Sequence, residues 1–293
     1  MRLPQQGMRR LRMGRGRGGG FRWPIMLIAA IGIGVYYFSN VKENDLTGRS
    51  QFITVSEEQE VALGLQSYRQ VLSESAVVGS GPEVDLLRRI GADLANAARA
   101  LPQTAELANK FDWQFNLVQS DQANAFCLPG GYVAFYTGIL PVAANDNGLA
   151  VIMGHEIAHA LLRHGAERMS QSQLVQLGQA AVGVAAGDMD PGARQAAMQI
   201  FGFGAQVGFM LPYSREHETE ADKIGLDLLV AACYDPREAP ALWERMGALG
   251  GGQKPPEMFS THPDSGRRAE NFRAWMPDAV AAFEARCGAL PAR

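Results

Sequence analysis

His155-Glu156-Ile157-Ala158-His159 stands inside an apolar run that opens with Leu149-Ala150-Val151-Ile152 and closes with Leu161-Leu162. A helix over residues 147–163 puts the two imidazoles on one face, one turn apart, so that both can bind a single ion. Polar His and Glu side chains inside so apolar a helix are costly without a partner, and a metal ion is the partner they fit. A bare pair of histidines at this spacing would read as a packed helix face. Glu156 changes that reading, because a carboxylate beside the ligands can take a proton from a metal-activated water and return it to a leaving group.

A catalytic zinc site keeps three protein ligands, so one more must come from elsewhere. The best region is Ser214-Arg215-Glu216-His217-Glu218-Thr219-Glu220-Ala221-Asp222. Glu218 and Asp222 are four residues apart and share a helix face, so one can bind the metal while the other accepts the free N–H of a ligating histidine. Glu220 points away from that face. Spacing leaves open which of the two acids is the ligand.

The 293 residues are 47% apolar and 19% charged, as expected of a globular chain and not of a disordered or fibrous one. Net charge is −3, yet the first 22 residues carry seven Arg and no acid, so the rest carries −10, the difference between −3 and +7. This basic arm, residues 1–22, could suit nucleic acid, but it runs straight into the uncharged stretch from Trp23 to Phe38 and reads as a membrane-insertion signal. No nucleic-acid partner is expected. Residues 23–39 are read as a single N-terminal membrane anchor, since no Ala-x-Ala-like cleavage site follows and Tyr36-Tyr37-Phe38 suits an interfacial belt. A cleaved signal is the alternative. The positive-inside rule keeps the arginines cytoplasmic and exports the remainder, which in a bacterium means the periplasm, on the inner membrane if the anchor is retained. Of three cysteines, Cys233 and Cys287 are the plausible disulfide and Cys127 is left single, three buried thiols being the alternative.

Residues 40–55 lack periodicity and read as a linker, so the folded domain is expected over 56–293. Ser56-Glu57-Glu58-Gln59 has capping-box form and opens a helix, and residues 82–100 make a second. Alternating Phe111, Trp113, Phe115 and Leu117 suggest a strand, with another at 132–136 and turn residues between them. Residues 174–211, broken at 187–192, look like a helical hairpin too short and too Gln-rich to span a membrane. Further helices are expected from Asp235-Pro236 and from Pro277. The order, strands followed by helices, is α+β: a mainly helical domain with a small mixed sheet.

Four blocks together resemble the zinc metallopeptidases that include the CAAX prenyl protease, HtpX and BepA, with the Oma-type proteases as relatives. They are Asn-Ala-Phe at 124–126 with Pro129-Gly130-Gly131 and Thr137-Gly138, the His-Glu-x-x-His helix, Glu218 with Ala221-Asp222, and Ser260-Thr261-His262-Pro263 followed by Arg268. The resemblance spans roughly residues 56–275 and implies a zincin-like fold. It implies one zinc per chain held by His155, His159 and Glu218, Asp222 and Arg268 as supporting residues, and Glu156 and His262 as catalytic groups, His262 as a gate or transition-state donor. It further implies that Gly130, Gly131, Tyr132, Val133 and Ala134 lie on a sheet edge that aligns a peptide substrate, which is backbone recognition by strand addition. Unlike the many-helix membrane members, this chain shows one N-terminal apolar segment, which argues against prenyl processing.

The expectation is therefore a zinc endopeptidase acting on misfolded or unassembled envelope polypeptides. Two other readings are a proteolytically silent binding module with a closed four-ligand zinc and a non-peptidase metallohydrolase. A zinc ligand role for Cys127 is the minor variant.

Overall fold

The computed structural model describes residues 20–206, 210–249, 262 and 265–291. The arginine-rich arm up to residue 19, the 250–256 loop, Ser260, Thr261 and Pro263 lie outside the described residues. Helix α1 (Trp23–Ser39) leads into a hairpin of β1 (Val41–Glu43) and β2 (Ser50–Phe52), then α2 (Glu57–Ser73), β3 (Val77–Val78), α3 (Pro82–Ala100) and α4 (Ala105–Lys110). Strands β4 (Gln114–Val118), β5 (Ala125–Leu128) and β6 (Tyr132–Tyr136) follow, then α5 (Leu140–Ala143), α6 (Asp146–Leu161), α7 (His164–Ala185), α8 (Pro191–Ala205), α9 (Leu211–Ala231), α10 (Glu238–Leu249) and α11 (Ser265–Cys287). This is the expected α+β composition, mainly helical with a small mixed sheet.

Local signals hold where capping chemistry is explicit. The capping box closes α2 in both directions, with Gln59 N–H donating to Ser56 Oγ at 3.3 Å and Ser56 N–H to Gln59 Oε1 at 3.2 Å. Asn145 caps α6 by accepting from Gly148 N–H at 2.9 Å. Nearly every residue of α6 is buried, as expected of a helix apolar on all sides except where it carries function. Against it pack α3, through Leu87, Ile90 and Leu94, and α9, through Leu228 and Leu229. The α6–α9 crossing is a backbone contact: a Cβ at Gly225 would stand 3.0 Å from His155 N, and one at Gly154 would stand 3.1 Å from Gly225 O. Glycine at both positions lets the two helices touch.

The sheet corrects one expectation. Its order is β3-β4-β6-β5, with β4 parallel to β6 and the other pairs antiparallel. The strand at 132–136 is therefore internal. Its backbone is paired on both sides and Val133 and Ala134 are fully buried, so Tyr132, Val133 and Ala134 offer no free edge. Gly130 and Gly131, both at positive φ, form the tight turn that joins β5 to β6. Among the described residues the open edge next to the α6 helix belongs to β5, whose residues read as turn from their Asn, Pro and Gly flanks.

Other elements differ in smaller ways. The 40–55 segment is a packed hairpin with Gln51 and Phe52 buried, Tyr37 of α1 stacking on Phe52 at 5.0 Å. Residues 111–113 precede β4 instead of opening it. Pro277 lies inside α11, which starts at Ser265, because the apolar face Ala269, Phe272, Ala279, Phe283 continues past it. Over residues 174–205 the expected hairpin forms, turning between Ala185 and Pro191. Cys233 and Cys287 are bonded with Cα atoms 5.7 Å apart, tying the end of α9 to the end of α11, and Cys127 is free. Helix α1 buries no side chain and exposes Trp23, Leu27, Ile28, Ile31, Val35 and Phe38. No helix among the described residues is long and apolar enough to cross a membrane.

Candidate metal centre

Helix α6 presents His155 and His159 to α9, which brings Glu218 and Asp222, while His262 and α11 close the site from the other side. His155 Nε2 lies 3.0 Å from His159 Nε2, 3.3 Å from Glu218 Oε2 and 3.1 Å from His262 Nδ1. His262 Nδ1 is 2.9 Å from Glu218 Oε2, and His159 Nε2 is 3.5 Å from Glu218 Oε1. Donors of a tetrahedral zinc at 2.0–2.1 Å stand about 3.3 Å apart, and the four residues bring one donor atom each to within 4.8 Å of the others, close enough to share an ion. The four residues are the one candidate ligand cluster found among the described residues. Cys127 is not part of it.

Polar atoms left over agree with that fit. Glu218 Oε1 and Glu156 Oε1 are buried without a hydrogen-bond partner, a costly state that a cation and its water would relieve. Burial pushes His159 well below the usual imidazole range and keeps it neutral, the ligating form. At His155, burial and the Arg268 charge are outweighed by hydrogen bonds to Asp222 and Glu218, which raise it to about 9. The carboxylates that draw a proton there would hold a metal ion in its place. Burial raises the Glu156 carboxyl, which moves it toward the range useful to a general base.

Asp222 lies against His155, the place that the resemblance implied for a supporting residue. Its Oδ1 lies 3.0 Å from His155 Nδ1, and Arg268 Nε donates to Oδ2 at 2.8 Å while Nη2 contacts Oδ1. Arg268 also stands with Nη1 2.9 Å from Glu218 Oε2, and its guanidinium covers the Trp243 ring at 3.3 Å. All the residues expected at the centre are thus brought together. The five at 130–134 are not, being at the turn and in the sheet interior. A cavity of about 170 Å³ lies beside the cluster instead, lined by Glu156, His159 and His262 on one side and by Cys127 and Leu128 of the β5 edge on the other.

Sequence reasoning missed a second polar cluster behind His159. His164 Nδ1 lies 2.9 Å from His159 Nδ1, and His164 Nε2 lies 3.0 Å from Glu220 Oε2. Arg49 pairs with Glu220 and with Glu167, and His217 Nε2 contacts Glu167 at 2.9 Å. Burial lowers His164 to about 4 and so keeps it neutral. At both Glu167 and Glu220 burial is outweighed, by Arg49 and His217 at the first and by His164 and Arg49 at the second, which leaves each at about 2. The signal that could have found the cluster was Arg163-His164 just beyond the helix, with Glu167 after it.

The sequence profile of peptidase family M48 matches residues 87–276, some two thirds of the chain and the whole of α6 and α9. The chain belongs to peptidase family M48. Among curated relatives, it is 34% identical over 262 residues to the mitochondrial metalloendopeptidase OMA1 of Schizosaccharomyces pombe, an alignment covering 88% of this chain and 73% of the relative. It is 33% identical over 264 residues to the Saccharomyces cerevisiae protein of the same name, covering 86% and 74%. The beta-barrel assembly-enhancing protease of Escherichia coli is 28% identical over 241 residues, covering 77% of this chain and 47% of that protein. This M48 chain is a metalloendopeptidase with polypeptide substrates.

Proposed function

We propose that this M48 peptidase is zinc-dependent, that Glu156 is its general base, and that its substrates are misfolded or unassembled polypeptides of the cell envelope. The carrying observation is Glu156 Oε1, buried with no hydrogen-bond partner and lining the same cavity as His159, His262 and the β5 edge. His155, His159 and Glu218 would hold the metal. Zinc there supplies Lewis acidity, polarising a carbonyl and acidifying water. Glu156 takes the proton of the attacking water and delivers it to the leaving amine. The unpaired side of Ala125–Leu128 receives the substrate backbone in extended form, a recognition indifferent to sequence that suits unfolded chains.

His262 fills the position opposite Glu156, with its Nε2 3.5 Å from Glu156 Oε1, and has to withdraw before water and substrate enter. The same contact favours a second reading, a proteolytically silent module in which four ligands close the zinc sphere. Casein cleavage by the purified, zinc-loaded chain separates the two. Turnover that disappears on chelation, returns with zinc, and falls about 10²–10⁴-fold in Glu156→Gln is expected of the enzyme. Turnover surviving in Glu156→Gln sinks the assignment of the base, and a silent wild type supports the module.

For location, the exposed apolar side chains of α1 support attachment to the inner membrane through this segment, with the peptidase domain in the periplasm, while α1 at 17 residues is not long and apolar enough to span the bilayer by itself. The Cys233–Cys287 bond supports an oxidising compartment. Release of the chain from membranes by alkaline carbonate would count against the anchor.

A further inference from the structure

We infer that His164 is a positioning residue for the metal ligand His159, held in turn by Glu220 and Arg49. The inference rests on the metal reading above and concerns residues that stand outside the ligand set.

Ligation through Nε2 leaves the proton of neutral His159 on Nδ1. That N–H points at His164 Nδ1, 2.9 Å away, which must then accept. A neutral His164 that accepts at Nδ1 carries its own proton on Nε2, and there Glu220 Oε2 waits at 3.0 Å. The hydrogen bonds therefore run in one direction, from ligand to imidazole to carboxylate. Arg49 fixes the far end, with Nε and Nη2 on the two Glu220 oxygens at 2.9 and 3.0 Å. His155 obtains the same support in a single step, from Asp222 at 3.0 Å. The two metal-binding histidines of α6 are thus both tied to a carboxylate, one directly and one through a second imidazole.

The backbone is shaped for this contact. On a continuous helix His164, five residues after His159, would lie about 140° round the axis and face elsewhere. Arg163 instead takes a left-handed conformation, φ 56°, which ends α6 and starts α7 at His164. The turn brings the His164 ring back against His159, with centroids 4.9 Å apart, while the stacked His217 ring covers its other face at 4.2 Å. Packing alone would be met by an aromatic ring. An imidazole ending on a carboxylate 56 residues away, itself clamped by an arginine from the β1–β2 hairpin, does more than fill space.

The test measures zinc affinity of the full chain by competition with a chromophoric chelator, with the thermal midpoint of the metal-free protein recorded beside it. His164→Phe keeps ring volume and the stack on His217 but cannot accept from His159. It should weaken zinc binding by about 10–100-fold. His164→Asn, whose Oδ1 can replace the Nδ1 acceptor, should recover most of that loss. Glu220→Gln should weaken binding less than His164→Phe, and the double variant should be no worse than His164→Phe alone. Wild-type affinity in His164→Phe overturns the positioning role and leaves the metal reading standing. A wild type that binds no zinc overturns both. Should His164→Phe fail to fold, unchanged zinc affinity in Glu220→Gln overturns the inference.

Discussion

The Asp222 carboxylate sits 3.0 Å from Nδ1 of His155, on the far side of the ring from the nitrogen that faces Glu218 and His262. On the proposed metal reading that contact leaves Nε2 as the ligating nitrogen, and Arg268, which donates to Asp222 Oδ2, compensates the buried charge. Asp222→Ala should weaken zinc binding about 10–100-fold by chelator competition. It also leaves the buried Arg268 guanidinium with Glu218 as its remaining carboxylate, so urea denaturation should report a loss of about 1–3 kcal/mol.

His262 Nδ1 stands 2.9 Å from Glu218 Oε2 and 3.1 Å from His155 Nε2, so on the proposed metal reading it competes with an inhibitor's metal-binding group. If it must leave first, only the withdrawn fraction of the protein is competent, and removing the ring relieves that penalty. A hydroxamate should bind zinc-loaded His262→Ala about tenfold tighter than wild type by calorimetry, for a withdrawn population of about one tenth. Equal affinities would mean that His262 does not compete for the site.

Glu167 and Glu220 give the fold an acid limit. Both fall from 4.5 to about 2 on folding, so their contribution is complete above about pH 4.5 and is lost as the pH drops through 2. The urea midpoint of wild type should fall across that window. In Arg49→Met, which removes the shared cation, the decline should start at higher pH; superimposable profiles would refute the role of Arg49.

The Cys233–Cys287 bond closes a loop of 54 residues that includes α10 and the His262 segment. Replacing both cysteines by Ala should cost about 2–4 kcal/mol in denaturant unfolding. Zinc affinity should stay near wild type, since neither cysteine belongs to the candidate ligand cluster.

The candidate site was legible where it is written in short spacing. His155, Glu156 and His159 declare themselves within one turn, and Glu218 with Asp222 within the next motif. The sheet edge was not legible, because the place of the 132–136 strand depends on parallel pairing with β4, a contact that leaves no local pattern. Strand β5 is four residues long and has no room to show alternation. The β1–β2 hairpin has strands of three residues and hid in the same way. His164 escaped because its use depends on a left-handed residue before it, and helical periodicity carries no information across such a break.

The glycine contact between α6 and α9 has a consequence for how this site tolerates change. The gap across the metal position is set by two side chains that are missing, at 154 and 225, and neither belongs to the ligand motif. A single methyl there would act as a shim between the helices, opening the distance from His155 to Glu218 while every ligand remained in the sequence. Gly225→Ala should therefore yield a folded chain with poor metal retention on elemental analysis, and a full complement of zinc would show that the helices have slack. Motif inspection alone would pass such a variant as intact.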